Sequence, residues 1–201
     1  MDTRERILLA AERLFAEHGV DHVSLRQVGE AAGQRNNSAV QYHFGDKKGL
    51  IQGLYDLRMV PLNRSRGQLL AEMTADPSTT EIVRAYVMPL ADAVVSSRGS
   101  WAYARFIDRY LGRGKAFEPF DDQHNSNSQE VMRLLSERMP DVGEDVREER
   151  RRMVVTLTTR TLADLERRLE HEKLDDAAAA FTVECLIEAM TVLVEAPSHL
   201  G

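Results

Sequence analysis

The residues best suited to chemistry crowd into one short stretch. Gln34, Arg35, Asn36, Asn37, Ser38, Gln41, Tyr42 and His43 stand almost side by side, with only Ala39, Val40 and Phe44 left to pack inward. A helix that merely faces solvent usually carries Glu/Lys pairs instead. Asn and Gln can bond an adenine edge through two hydrogen bonds and Arg can do so with guanine, while Ser, Tyr, His and Lys suit phosphate oxygens. The stretch therefore has the composition of a segment that reads the major groove of DNA. Asn36, Asn37 and Ser38 also fit a second role, as simple caps of a short helix.

Such a segment needs a scaffold, and the flanking residues describe one. Ile7, Leu8, Ala11, Leu14 and Phe15 follow i, i+1, i+4, i+7, i+8, which predicts a first helix from about Asp2 to His18, stopped at Gly19. Ser24-Leu25-Arg26-Gln27 has capping-box spacing, and Val23 is placed to staple onto Val28, so a second helix starts at Leu25 and ends near Gly33. Ala31-Ala32-Gly33 supplies the small residues that a close helix crossing needs. A short helix follows from about Asn37 to Phe44. Asp46 then caps a long helix running from Lys47 into the seventies, with a kink expected at Pro61.

The stretch from Thr3 to about Leu54 resembles the N-terminal DNA-binding domain of TetR-family transcriptional regulators. The likeness rests on Ile7–Phe15, Gly19, Ser24-Leu25-Arg26-Gln27-Val28, Ala31-Ala32-Gly33, Tyr42-His43-Phe44 and Lys47, and spans about a quarter of the chain. It implies an all-α protein: a three-helix helix-turn-helix domain, residues 1–46, joined to a larger helical bundle, residues 47–201, that binds an effector and dimerises. It further implies phosphate contacts from Ser24, Tyr42, His43 and Lys47, and base contacts from Arg26, Arg35, Asn37, Ser38 and Gln41. The partners implied are a double-stranded, palindromic DNA operator, a small-molecule effector and a second copy of the chain, with repression as the usual mode and no cofactor. Two departures stand out. There is one more residue than usual between Ala31-Ala32-Gly33 and Phe44, and Gln41 occupies the place where the family commonly has a phosphate-binding tyrosine, with Tyr42 next to it. Lys47 also admits a plainer reading as a solvated first-turn lysine.

Composition bounds the rest. In 201 residues, 43% apolar and 29% charged, there is material for a packed core, and the single cysteine, Cys185, cannot form an internal disulfide. A reducing, cytoplasmic setting is expected. Taken over the whole chain, the net charge of −6 argues against a nucleic-acid partner. Residues 1–50, however, hold seven Lys/Arg and seven Asp/Glu, leaving 19 basic against 25 acidic residues of the totals of 26 and 32 for the remainder. All of the acidity lies outside the reading segment. The charged start Met1-Asp2-Thr3-Arg4-Glu5-Arg6 is unlike a signal peptide. Ala177 to Ala196 is the most apolar run, but Glu184, Glu188, Thr191 and Glu195 fall on one helical face, so an amphipathic helix is expected and no membrane partner.

Beyond the long helix, Ser78-Thr79-Thr80-Glu81, Asp141-Val142-Gly143-Glu144 and Asp175 divide the chain into helices near 79–96, 100–112, 126–139, 144–171 and 175–195. No strand pattern interrupts them. The resemblance implies that the last two helices pair with a second copy, and Leu157, Leu162, Leu165, Leu169, Phe181, Leu186, Met190 and Leu193 offer apolar surface for this. The alternative is an intrachain core. For an effector, Tyr103, Phe106, Ile107, Tyr110 and Leu111 form a stripe that is either pocket wall or ordinary core, and Trp101 can stack on Arg105. Arg105 and Arg109 can receive an anion, or Arg105 can simply pair with Asp108 on a solvated face. Arg150-Arg151-Arg152 reads as exposed helix surface balanced by Glu148 and Glu149. An enzyme is the competing class, yet His171-Glu172 lacks the second histidine of a zinc-protease helix, and no phosphate loop or nucleophile elbow occurs. Asp121, Asp122 and His124 read as solvent-exposed loop residues rather than a metal site. A helical interaction module that does not bind DNA is the third class.

Overall fold

The computed structural model describes residues 1–34, 38–114, 120–121, 125–171 and 174–198. They form helices α1 (Thr3–His18), α2 (Leu25–Ala31), α3 (Ser38–Phe44), α4 (Lys47–Glu72), α5 (Thr79–Ser97), α6 (Tyr103–Leu111), α7 (Ser126–Arg138), α8 (Glu144–His171) and α9 (Asp176–Glu195), with no strand among the described residues. The predicted helices are present, most ends within a residue or two. Pro61 falls inside an α4 that stays one helix, and a short helical turn at Val20–His22 was not foreseen.

Local caps explain most of the starts. Asp2, Asp46 and Asp175 each accept a backbone N–H three residues on, and Ser24/Gln27 and Ser78/Glu81 form reciprocal capping boxes. Helix α6 has no such cap, since Ala102 at its start has no capping side chain. Its first N–H groups are met from afar. Glu12 of α1 accepts from Ala102 N at 2.9 Å, and Glu166 of α8 accepts from Ala104 N at 3.2 Å and Arg105 N at 3.1 Å. The two carboxylates are 1% and 0% exposed, so the helix start is a buried polar junction.

Helices α1, α2, α3 and the first turns of α4 make a small N-terminal unit around Leu8, Phe15, Val28, Val40 and Leu50. The larger unit is built around α5, which packs on α4, α7, α8 and α9, while α6 is wedged between α1 and α8. One apolar core runs through both. The buried joint between them holds Arg58 of α4 against Glu12 at 2.7 and 3.0 Å, with the guanidinium 3.7 Å above the Trp101 ring.

Helix α9 is, among the described residues, the one helix long and apolar enough to cross a membrane by length and composition. Val183, Leu186, Ile187, Met190 and Val194 are buried in the bundle, and Glu184 on another face is paired with Arg84 of α5. This burial corrects part of the dimer expectation. Leu162, Leu165 and Leu169 of α8 and Leu186 and Met190 of α9 belong to the chain's own core. The two helices pack on each other and on α5, which uses the apolar faces that the pattern offered to a partner. What stays outside is Leu157, half-covered Leu193 and a more exposed set not all foreseen: Phe181 at 71%, Val192 at 68% and Met153. Arg150 is likewise buried rather than on the surface, donating toward the carbonyls of Val194 and Pro197. Arg151 pairs with Glu144 and Glu148 and Arg152 with Glu149.

Candidate nucleic-acid interface

Helix α2 is short, and its conformation is set locally. Ser24 Oγ accepts from Gln27 N at 3.2 Å while Gln27 Oε1 accepts from Ser24 N at 2.8 Å. The chain then turns at Gly33, whose φ of 69° is the left-handed conformation that favours glycine. Crossing of α2 and α3 is tight at a residue outside the predicted small-residue corner: a Cβ on Gly29 would lie 3.4 Å from Val40 Cγ2. Helix α4 clamps the far end of α3. A Cβ on Gly53 would meet the Phe44 ring at 3.0 Å, so Gly53 leaves the space that lets Phe44 pack between α3 and α4, with Arg4 stacked 5.2 Å from the ring centroid. Gly53 was not singled out from sequence. Its spacing of four from Gly49 in an otherwise ordinary helix was the available signal.

With Val40 buried and Ala39 and Phe44 packed inward, α3 turns Ser38, Gln41 and Tyr42 to solvent. These positions are i, i+3, i+4 and share one face. Tyr42 is 86% exposed, an unusual state for a large aromatic side chain, and its ring sits edge-on to His43 at 5.2 Å. The face offers hydroxyl, amide and phenol groups, the inventory needed for base edges and phosphates. Arg35, Asn36 and Asn37 lie outside the described residues.

Three predicted contacts are already engaged within the chain. The Lys47 ammonium donates to Val20 O at 2.9 Å and is half-buried, so it ties α4 to the turn after α1. The Ser24 hydroxyl serves as the α2 cap. Arg26 is exposed but pairs with Glu30 one turn on, at 2.9 Å, a contact that costs little to exchange for a phosphate or base.

The second feature is a cavity of about 450 Å³ in the larger unit, walled by α4, α5, α6, α7 and α8. Tyr55, Met59, Leu62 and Arg66 face it from α4, Tyr86 and Leu90 from α5, Tyr103, Ile107 and Leu111 from α6, and Ser128 and Met132 from α7. Of the predicted α6 stripe, Tyr103, Ile107 and Leu111 line it, whereas Trp101, Arg105, Phe106 and Tyr110 do not. Phe106 is fully buried, packed on Phe15, Tyr103 and Tyr110. Tyr110 lies against Phe120, itself part of the wall. Trp101 stacks on Arg58, not Arg105. Arg105 is held by Glu166 at 3.1 Å and Glu170 at 2.6 Å, and Asp108 pairs with Arg160, so Arg105 neither stacks on Trp101 nor pairs with Asp108. Arg66 and the α4 and α5 aromatics were missed, because an arginine inside a long helix gives no sign of burial in the sequence. Of the metal reading, Asp122 and His124 lie outside the described residues, and no group of three potential ligands occurs among those described.

A tight two-helix crossing that presents a polar face of its second helix, seated on a separate helical bundle, defines a helix-turn-helix DNA-binding regulator. Residues 7–54 match the model of bacterial regulatory proteins of the tetR family. It is 29% identical over 144 residues to the HTH-type transcriptional repressor AcnR of Corynebacterium glutamicum, covering 71% of this chain and 69% of that protein. Over 53 residues it is 42% identical to the HTH-type transcriptional repressor BepR of Brucella suis, covering 26% and 25%. In fold it is similar to the fatty acid degradation regulator FadR from Bacillus halodurans, with a TM-score of 0.61, 12% identity and coverage of 99% and 98%. The protein is thus a DNA-binding transcriptional regulator.

Proposed function

We propose that the protein is a cytoplasmic, ligand-responsive repressor that binds a palindromic operator as a homodimer. The observation that carries the reading is the outward face of α3, with Ser38, Gln41 and Tyr42 on one side and Val40 and Phe44 locked beneath. Gln41 and Ser38 read base edges. Tyr42 and His43 contact phosphates, Arg26 can join after releasing Glu30, and Lys47 acts by fixing the start of α4. Arg35 and Asn37 remain base-reading candidates on the strength of the resemblance alone.

Pairing of two chains is assigned to the outer side of α8 and α9, around Leu157, Phe181, Val192 and Leu193. Large apolar side chains this exposed on adjoining helices favour a partner surface. Ligand control follows from connection. Tyr55 in the cavity wall is one turn beyond Leu50 and Ile51, which pack in the reading head, and Gln52 between them exchanges two hydrogen bonds with the backbone of Asp121, at 2.9 and 3.3 Å. A ligand that prefers the α4 position unsuited to the operator lowers DNA affinity by the ratio of its affinities for the two states.

The test is selection of bound fragments from random duplexes, followed by anisotropy titrations on the enriched site. A palindrome is expected, with Tyr42→Ala weakening binding about tenfold with little change in base preference, Gln41→Ala altering the preferred bases, and Phe181→Asp giving a monomer by sedimentation. Failure to enrich any sequence, or unchanged affinity in both α3 variants, removes the operator reading.

A further inference from the structure

Arg66 is the unusual residue of the cavity. It is 5% exposed and makes no ion pair with a carboxylate among the described residues. Its Nη1 donates to Ser128 Oγ at 2.6 Å and its Nη2 to the Tyr86 carbonyl at 3.3 Å, while Nε has no acceptor. Two neutral oxygens and the Tyr86 ring, whose centroid is 5.6 Å from the guanidinium carbon, bring this buried group no full negative charge. Burial accordingly lowers its pKa, yet arginine keeps its proton in proteins.

Of the other arginines withdrawn from solvent, Arg58 is paired with Glu12 and half-buried Arg105 with Glu166 and Glu170, while buried Arg150 donates to the carbonyls of Val194 and Pro197 beside a groove also lined by Glu144, Asp145 and Glu149. The Arg66 cavity has no acidic residue among the described lining residues. A second donor there also lacks an acceptor. The Tyr103 hydroxyl is buried and unbonded, and burial pushes its pKa well above the usual tyrosine value, so it stays a donor. Ser128, already accepting from Arg66, retains its own proton to give. What this site lacks is an acceptor carrying negative charge. The rest of the lining is rich in apolar side chains, Leu62, Leu90, Ile107 and Met132, with the Tyr55 and Phe120 rings stacked at 3.9 Å, beside the polar Gln129, Thr158 and Thr159. The volume is in the range of small-molecule sites.

We propose that this cavity takes an amphipathic carboxylate, its head group bound by Arg66 and Tyr103 and its apolar or aromatic body lying among the leucines and stacked rings. The proposal rests on the reading of the cavity as the effector site. The guanidinium supplies a charge-assisted bond that a neutral amide of the same shape cannot match and an ammonium would oppose. Arg66 lies on α4, three turns beyond Tyr55, so occupancy acts directly on the helix that carries the reading head.

The experiment is calorimetric titration of the full chain with decanoate, decanamide and decylammonium, and with the matching phenylbutyrate series. Carboxylates are expected to bind at least tenfold tighter than the amides, with the ammonium compounds weakest. Arg66→Met is expected to bring carboxylate and amide within about threefold of each other. Tyr103→Phe, which keeps the ring and its packing, narrows the gap in part and serves as the test if the arginine variant does not fold. Amides or ammonium compounds binding as tightly as carboxylates would overturn the anion assignment. Leu90→Trp, which fills the cavity, separates the two levels. If it abolishes binding of all three head groups without carboxylate preference in the parent, only the carboxylate class fails. If the parent binds no probe, or the tryptophan variant binds all as before, the effector-cavity reading itself fails.

Discussion

Helices α2 and α6 begin in opposite ways. The first N–H groups of α2 are met by its own capping box, three residues across, whereas those of α6 are met by Glu12, 90 residues before Ala102, and by Glu166, about 60 residues after. The difference separates a reading head specified by its own sequence from a body whose parts are placed by each other. It also marks where movement can be transmitted. Glu12 belongs to α1 of the head, yet it holds Arg58 of α4 and the start of α6, so α4 and α6 are tied to the head through one buried joint.

Breaking the remote caps should have the largest effect. Glu166→Ala leaves two buried N–H groups and Arg105 short of partners, and a loss of about 3–5 kcal/mol is expected in urea unfolding. Glu12→Ala, which strips Arg58, should cost a similar amount. Ser24→Ala removes only a local cap and should cost about 1 kcal/mol, with faster amide exchange confined to α2. A Ser24 variant as damaging as the Glu166 one would end the contrast between the two helices.

The smallest effect is a pH slope. Burial pushes the Glu166 carboxyl above the ordinary value of 4.5, against the pull of the Arg105 and Ala104 N–H groups and the Arg105 charge. The folded chain then holds that proton more tightly than the unfolded one. The stability linked to it is full below 4.5 and is lost as pH rises through the raised value. Melting temperatures of Glu166→Gln should therefore fall less than the parent's across this interval. Parallel slopes would show that the carboxyl does not titrate within the fold.

Periodicity and capping residues determined the number and approximate ends of the helices, because those signals act within a few residues. They also identified α3 as the polar segment whose described residues Ser38, Gln41 and Tyr42 lie on one outer face. Tertiary structure decided which apolar stripe faced what. Leu162, Leu165 and Met190 are indistinguishable in pattern from Leu157 and Phe181, and only the packing of α8 and α9 on α5 buries the first set and leaves the second exposed. The cavity belongs to the same category. Whether Arg66 snorkels to water or points into a bundle depends on helices brought together from distant parts of the chain, since a guanidinium's surroundings are not encoded by its neighbours in sequence.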